Sequence, residues 1–158
     1  MVILMEVLGG RQVDDERWSI FLKTTDGKRL VTITMPLQNA LLVLEAHDSN
    51  STSQRAPHRI WADTLRMGNI SLTHLLFHAP NSDGQPRVTL QFKRENKKWK
   101  ADCFADDGLA LALYMKAPIL FEESTLSSTL SDSQENNTGT VDERLRLFHA
   151  SHEDIPKA

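Results

Sequence analysis

Apolar and polar positions in the first half of the chain follow a strand, strand and helix pattern. Large apolar residues fill positions 18–23, and positions 30–35 alternate in part, which predicts two strands joined by a turn at Asp26–Gly27. Leucines then recur at helical spacing behind Pro36, a residue that suits the first turn of a helix. We therefore expect a hairpin that is followed by a helix over residues 36–47.

The same order of elements recurs in the second half of the chain. Positions 72–77, 88–93 and 98–104 have the pattern of strands, and a leucine- and alanine-rich helix is expected over residues 106–116. A shorter helix is expected over residues 60–67, closed by Gly68. One strand–strand–helix unit cannot bury its own apolar face, so two units are expected to share a core. The sequence thus predicts an α+β fold of duplicated β–β–α repeats on one curved, mostly antiparallel, half-barrel-like sheet.

Composition changes after residue 123. The segment that follows is mostly small and polar, and it offers too little apolar surface to offset the entropy of ordering it. Behind it, a capping box opens a short helix with one apolar stripe, formed by Val141, Leu145 and Phe148. We expect that helix to dock on this body or on a neighbouring subunit. The predicted parts are a domain over residues 1–123, a flexible linker over 124–140, and an acidic helix and tail over 141–158.

Charge and cysteine content exclude several classes of protein. The chain has 158 residues and a net charge of −3, without the strong basic excess of a dedicated nucleic-acid binder. Its single cysteine, Cys103, excludes an internal disulfide and a CxxC zinc or redox motif. No apolar run approaches the roughly 18 residues of a membrane span, and the apolar start lacks the basic residues of a signal peptide. We expect a cytoplasmic protein with no membrane partner.

Basic residues are concentrated between positions 87 and 100, where Glu95 is the one acidic residue. Phe92 and Trp99 are interleaved with them, so the stretch suits phosphate contacts combined with stacking on bases. The alternative is a solvated hairpin whose lysines protect a sheet edge, and it is favoured because strand alternation already turns both aromatics inward. The candidate nucleic-acid-binding residues are Arg87, Lys93, Arg94, Lys97, Lys98 and Lys100.

Three stretches together resemble one known family. Residues 102–113 (DCFADDGLALAL) and the following Ala-Pro-Ile-Leu are similar to its Asp-Ala-Arg-Pro-Ser-Asp-Ala-Ile-Ala-Leu-Ala-Leu segment and its Ala-Pro-Ile-Tyr-Val. Residues 57–65 resemble its Pro-Arg-Pro-Leu-Thr-His-Asp-Leu-Leu, and residues 26–44 resemble its first-repeat hairpin and helix. The family is that of the bifunctional nuclease (BFN) domains, small bacterial and plant proteins with a duplicated β–β–α fold. The resemblance covers nearly the whole chain.

The resemblance implies hydrolysis of phosphodiester bonds in DNA and RNA with a divalent metal. Asp63, Asp102 and Asp107 stand at family aspartate positions and are the implied catalytic residues. Asp102, Asp106 and Asp107 form the densest carboxylate cluster, and carboxylates can hold Mg²⁺ or Mn²⁺ while the ion activates water. The simpler interpretation, favoured on frequency, is that Asp106 or Asp107 caps the predicted helix.

Four positions depart from the family pattern. Pro36 replaces a glycine, Asn39 a glutamate, Ala62 a histidine and Phe104 an arginine. The missing groups are of the kinds that move protons or hold phosphate. We therefore expect either a weakened nuclease or a non-catalytic regulatory or assembly module that keeps the fold. No organic cofactor is expected, and the predicted partners are weakly bound DNA or RNA and further copies of this chain in a homo-oligomer.

The remaining candidates for chemistry are isolated in the sequence. His74 and His78 are expected to share no metal, since side chains four apart on a strand lie about 13 Å apart. His58 has no nearby residue that completes a site, and Cys103 is expected to pack as a small apolar side chain.

Overall fold

The computed structural model describes residues 1–48, 56–80, 82 and 87–126. Within them three strands precede two helices, and three further strands precede a third helix and a seventh strand. The strands are β1 (Val2–Gln12), β2 (Arg17–Thr24), β3 (Leu30–Pro36), β4 (Ser71–Phe77), β5 (Val88–Arg94), β6 (Lys97–Cys103) and β7 (Ile119–Glu122). The helices are α1 (Leu37–His47), α2 (Pro57–Met67) and α3 (Ala105–Met115), and a helical turn over residues 123–126 follows β7. The predicted α+β class is confirmed.

All seven strands belong to one mixed sheet with the order β3-β2-β1-β7-β4-β5-β6. Neighbouring strands are antiparallel except β4 and β7, which run parallel. The hairpin-connected pairs need only short turns, whereas the parallel pair is joined through β5, β6 and α3, as a parallel connection requires. The two edges of the sheet are β3 and β6.

The core lies where the helices pack on this sheet. Helix α1 packs on β1, β2 and β3, and α3 packs on β4, β5 and both other helices. Phe77 on β4 and Phe121 on β7 are adjacent in the register, and their rings stack with centroids 4.2 Å apart. The largest fully buried side chains are Phe77, Phe121, Ile20, Leu22, Leu75, Leu109 and Leu126.

The helices agree closely with the predicted ones, except at the start of α2. That helix begins at Pro57, three residues before the expected start, because proline is well tolerated where no backbone N–H is needed. His58 on this extra turn is buried, which adds to the helix's packed face. Each helix has 11 residues, so within the described ranges none is long and apolar enough to cross a membrane.

The folded body extends to Leu126, past the domain end predicted at residue 123. Leu126 is 1% exposed and joins the core, and Thr125 is 4% exposed and donates to the carbonyl of Phe77. The prediction was wrong at this boundary because a single apolar side chain can anchor a polar stretch when it is buried in the core. The rest of the predicted linker, and the predicted helix and tail over 141–158, lie outside the described residues.

Candidate functional site

A cleft of about 440 Å³ lies where two strands lead into their helices. The junction of β3 with α1 contributes Pro36 and Asn39, and the junction of β6 with α3 contributes Phe104 and Asp106. These two strands are the opposite edges of the sheet, yet both line the cleft, and α1 packs against α3. The cleft therefore brings together two strand-to-helix junctions that are far apart in the strand order.

Both helices begin at this cleft without a side-chain cap among the described residues. Their N-cap residues are Pro36 and Phe104, whose side chains cannot accept a hydrogen bond. The first N–H groups of a helix lack intrahelical partners and carry partial positive charge, so oxygen ligands are favoured there. The prediction that Asp106 or Asp107 caps α3 was wrong, because Phe104 holds the cap position and no side chain of the described ranges caps the helix there. Both aspartates lie in the first turn, where a carboxylate complements the helix dipole, as the same interpretation expects.

Three of the four positions that depart from the BFN pattern line this one cleft: Pro36, Asn39 and Phe104. Ala62, the fourth, is fully buried on α2. Where the resemblance implies a glutamate and an arginine, the cleft presents a neutral amide and an aromatic ring that is 79% exposed. The departures therefore alter the charge of the cleft more than the packing of the core.

His58 and Asp107 form a contact that joins α2 to the first turn of α3. His58 Nε2 lies 2.8 Å from Asp107 Oδ1, and the histidine side chain is 3% exposed. Because a carboxylate accepts, Nε2 is assigned the proton and donates it. Trp61 contacts the imidazole edge-on, with ring centroids 4.9 Å apart. His58 Nδ1 is buried and has no hydrogen-bond partner among the described residues.

His58 was not predicted as a functional residue. It precedes Ala62 by one helical turn, and both residues lie on the buried face of α2. Side chains four apart share a helix face. His58 therefore places an imidazole on the face of α2 where the resemblance implies a histidine at position 62. This spacing was a readable signal, but Asp107 lies 49 residues further along the chain, and only the fold joins the two.

Each of the predicted catalytic aspartates faces a different partner. Asp63 lies 3.3 Å from Arg66 within α2, and Asp102 lies 3.5 Å from Arg87 on the β5–β6 hairpin. Asp107 contacts His58. Among the described residues, no group of three histidine, cysteine, aspartate or glutamate side chains has the arrangement of a metal site. Asp102, Asp106 and Asp107 are thus neighbours in sequence that do not form one ligand set there.

Cys103 lines the cleft but is poorly suited to nucleophilic chemistry. Burial, and then the carboxylates of Asp107, Asp102 and Asp106, raise the pKa of its thiol to about 12. The thiolate is the reactive form, and such a thiol stays protonated at neutral pH. This agrees with the expected role of Cys103 as a small packing side chain.

The predicted nucleic-acid-binding residues lie on the hairpin of β5 and β6, and all six are exposed. In the register, Lys93 faces Lys98 and Gln91 faces Lys100, so the three lysines share one face of the sheet. Like charges directly opposite each other destabilise a strand pair. On an exposed edge strand, however, lysines also prevent pairing with another chain and so protect against aggregation.

The aromatic residues of this hairpin lie on the opposite face from Lys93, Lys98 and Lys100, and they share their own face with Arg94 and Lys97. Phe92 faces Trp99 in the register, and their rings stack with centroids 5.9 Å apart. Phe92 is buried, as alternation predicted, whereas Trp99 remains 40% exposed on the edge strand. A nucleic acid that stacks on Trp99 therefore meets Arg94 and Lys97, whereas the row of Lys93, Lys98 and Lys100 lies on the other face.

A polar network outside the cleft joins the ends of β4, β5 and β7. His78 Nδ1 lies 2.9 Å from Glu122 Oε1, and His78 Nε2 lies 2.9 Å from Thr89 Oγ1. The order of hydroxyl, imidazole and carboxylate is that of a hydrolytic triad, but Thr89 is 5% exposed and its hydroxyl is closed to substrate. With both ring nitrogens hydrogen-bonded within the fold, His78 has a structural role.

We expect this network to make stability depend on pH through Glu122. Hydrogen bonds from the backbone N–H of Ala79 and then from His78 hold the pKa of Glu122 below its ordinary value of 4.5. A carboxyl with a lowered pKa stabilises the fold above its unfolded pKa, and this contribution is lost as the pH falls through the folded value. Glu122→Gln should therefore lower the free energy of unfolding at neutral pH and much less at about pH 3.

Urea denaturation at the two pH values measures this difference. Glu6→Gln, at an exposed position on β1, is the matched control. A penalty for Glu122→Gln that is as large in acid as at neutral pH would contradict the assigned role of the carboxylate.

Comparison with known proteins assigns no family. No protein-family model matches the chain, and no curated protein matches it. The similarity to bifunctional nucleases is carried by the three sequence stretches and remains a resemblance.

Proposed function

We propose that this chain is a regulatory or assembly module of the BFN type with little or no hydrolytic activity. The separate pairing of Asp63, Asp102 and Asp107 carries the proposal. Metal-assisted hydrolysis of a phosphodiester requires carboxylates that converge on the ion and on the water it activates. Carboxylates that are each engaged by a different basic side chain favour structural roles.

The proposal includes the duplicated β–β–α repeat and the curved, half-barrel-like sheet. In each proposed repeat, two antiparallel strands lead into a helix, β2–β3–α1 in one and β5–β6–α3 in the other. In a flat seven-stranded sheet the edge strands would lie about 29 Å apart at about 4.8 Å per spacing. Because β3 and β6 line one cleft, a strongly curved sheet accounts for their approach.

We further propose weak contacts with the phosphates of DNA or RNA through Lys93, Lys98 and Lys100. These lysines form one exposed row at the sheet edge, which supports sequence-independent electrostatic contact. The net charge of −3 and the placement of Trp99 on the other face favour low affinity. The module is proposed to act in the cytoplasm as a homo-oligomer.

The contact of His58 with Asp107 favours a second candidate function, a weak metal-dependent nuclease. An imidazole held by a carboxylate is an arrangement that serves general acid–base catalysis. In the adjacent cleft, Asp106 and Asn39 offer the oxygen ligands that Mg²⁺ or Mn²⁺ prefers. Such an ion would supply charge neutralisation at the phosphate, while His58 and Asp107 would hold or move a proton.

A nuclease assay separates the two functions. We expect hydrolysis of single-stranded DNA and RNA with Mg²⁺ or Mn²⁺ to be weak or undetectable, since losing an acid–base group typically costs about 10²–10⁴-fold in rate. The assay compares wild type, Asp107→Asn and the control Glu6→Gln, each with and without a chelator. Metal-dependent cleavage that only Asp107→Asn abolishes would overturn the first proposal and support the second. Robust cleavage that resists the chelator, or that Asp107→Asn leaves intact, would contradict the metal–aspartate mechanism.

A further inference from the structure

An exposed apolar stripe runs along α2. Ile60, Trp61 and Met67 are 57%, 50% and 86% exposed. The opposite face of the same helix buries His58 and Ala62 against the body. A surface helix normally has one apolar face, so the second apolar face of α2 is a candidate interaction surface.

The stripe borders an apolar groove of about 280 Å³ between α2 and α3. Its walls are Trp61, Thr64, Leu65 and Leu111, and the Thr64 hydroxyl is satisfied by the carbonyl of Ile60 at 2.8 Å. A groove between two packed helices is the shape into which a third amphipathic helix lays its apolar face.

We propose that this groove receives the chain's own segment 141–148. The stripe of that segment, Val141, Leu145 and Phe148, has the spacing i, i+4 and i+7. On α2 the groove-lining residues Trp61, Thr64 and Leu65 have the spacing i, i+3 and i+4, so the stripe of a second helix can pack along them.

The connecting chain is long enough for this contact within one molecule. Leu126 is buried and anchors the end of the folded body. Residues 127–140 can span about 46 Å when extended at about 3.3 Å per residue. A body of this size has a radius of gyration of about 14 Å, so a linker of this length reaches most of its surface.

Disulfide trapping in the full-length protein tests the contact. Thr64→Cys combined with Leu145→Cys should form a disulfide within one chain, and Cys103 can remain because its thiol is protonated at neutral pH. The control pair, Thr64→Cys with Glu143→Cys, has nearly the same linker but places the second cysteine on the far side of the segment helix. We expect the first pair to oxidise about tenfold faster or more, at a rate independent of protein concentration.

Equal oxidation rates of the two pairs would show that the linker alone brings the cysteines together, and this would overturn the proposal. Disulfide-linked dimers whose yield rises with protein concentration would assign the groove to a second copy and overturn it as well. A second measurement avoids cysteines: Leu145→Asp should increase acrylamide quenching of tryptophan fluorescence, because Trp61 loses its cover. Leu147→Asp, which lies off the stripe, should leave the quenching at the wild-type level, and equal quenching in both variants would contradict docking.

Discussion

Replacing Phe121 with alanine is expected to lower the free energy of unfolding by about 3–5 kcal/mol. Phe121 is 1% exposed on β7, which lies between β1 and β4 in the middle of the sheet. Its ring stacks on Phe77, so the substitution removes a well-packed aromatic pair and leaves a cavity. Strands on both sides hold the surrounding backbone, and the site therefore has little freedom to collapse. Urea denaturation followed by circular dichroism measures the loss.

Phe104→Ala is the matched control, since it removes the same atoms from a side chain that is 79% exposed. We expect a change within about 0.5 kcal/mol for this exposed position. Similar losses for Phe121→Ala and Phe104→Ala would contradict the assignment of one ring to the core and the other to the cleft surface.

Gly108→Leu is expected to destabilise the protein by a net of about 2 kcal/mol. A Cβ at this position of α3 would lie 2.7 Å from Leu75 Cδ1 and 2.9 Å from Cys103 Sγ. Leu75 is fully buried and cannot move aside without disturbing the core. Overpacking typically costs about 1–3 kcal/mol, and a full leucine side chain belongs at the upper end. The better helix propensity of leucine offsets up to about 1 kcal/mol of this cost.

Gly68→Ala is the control for the glycine substitution. At this C-cap the nearest atom to an added Cβ is the carbonyl oxygen of Leu65 at 3.5 Å, and the backbone φ is −81°. We expect no loss, or a gain of about 0.4–1 kcal/mol from the reduced entropy of the unfolded chain. Thermal denaturation compares the variants, and a Gly108→Leu protein as stable as wild type would show that α3 does not pack this closely on β4.

Local periodicity predicted most elements because the buried face of an element requires apolar residues at regular intervals. The interval is two residues in a strand and three or four in a helix. The strands β2 and β3 and the helix α1 agree with the predicted ranges to within one or two residues. The helix α2 was predicted too short, because the buried His58 on its first turn does not look apolar in a sequence. The folded end of the chain was missed for a related reason, since Leu126 is a single leucine among polar residues.

The sequence identified several residues of the candidate site but not the residues with which they interact. The aspartates were identified from their order along the chain, but Asp107 faces His58 across 49 residues and Asp102 faces Arg87 across 15. The role of a carboxylate depends on which charged group lies within a few ångströms of it. For residues on different elements, that distance cannot be calculated from their separation in the sequence. The cleft was also not predictable, because β3 and β6 are the two ends of the sheet.

What this sequence determined by itself is the succession of elements from β2 to α3, the turn at Asp26–Gly27 and the basic character of the β5–β6 hairpin. These depend on alternation, helical spacing and local charge, which are properties of neighbouring residues. Only the tertiary structure decided that β7 lies between β1 and β4 and that His58 meets Asp107. These depend on strand order and helix packing, which minimise exposed apolar surface over the whole body at once and so cannot be read from any single stretch of the chain.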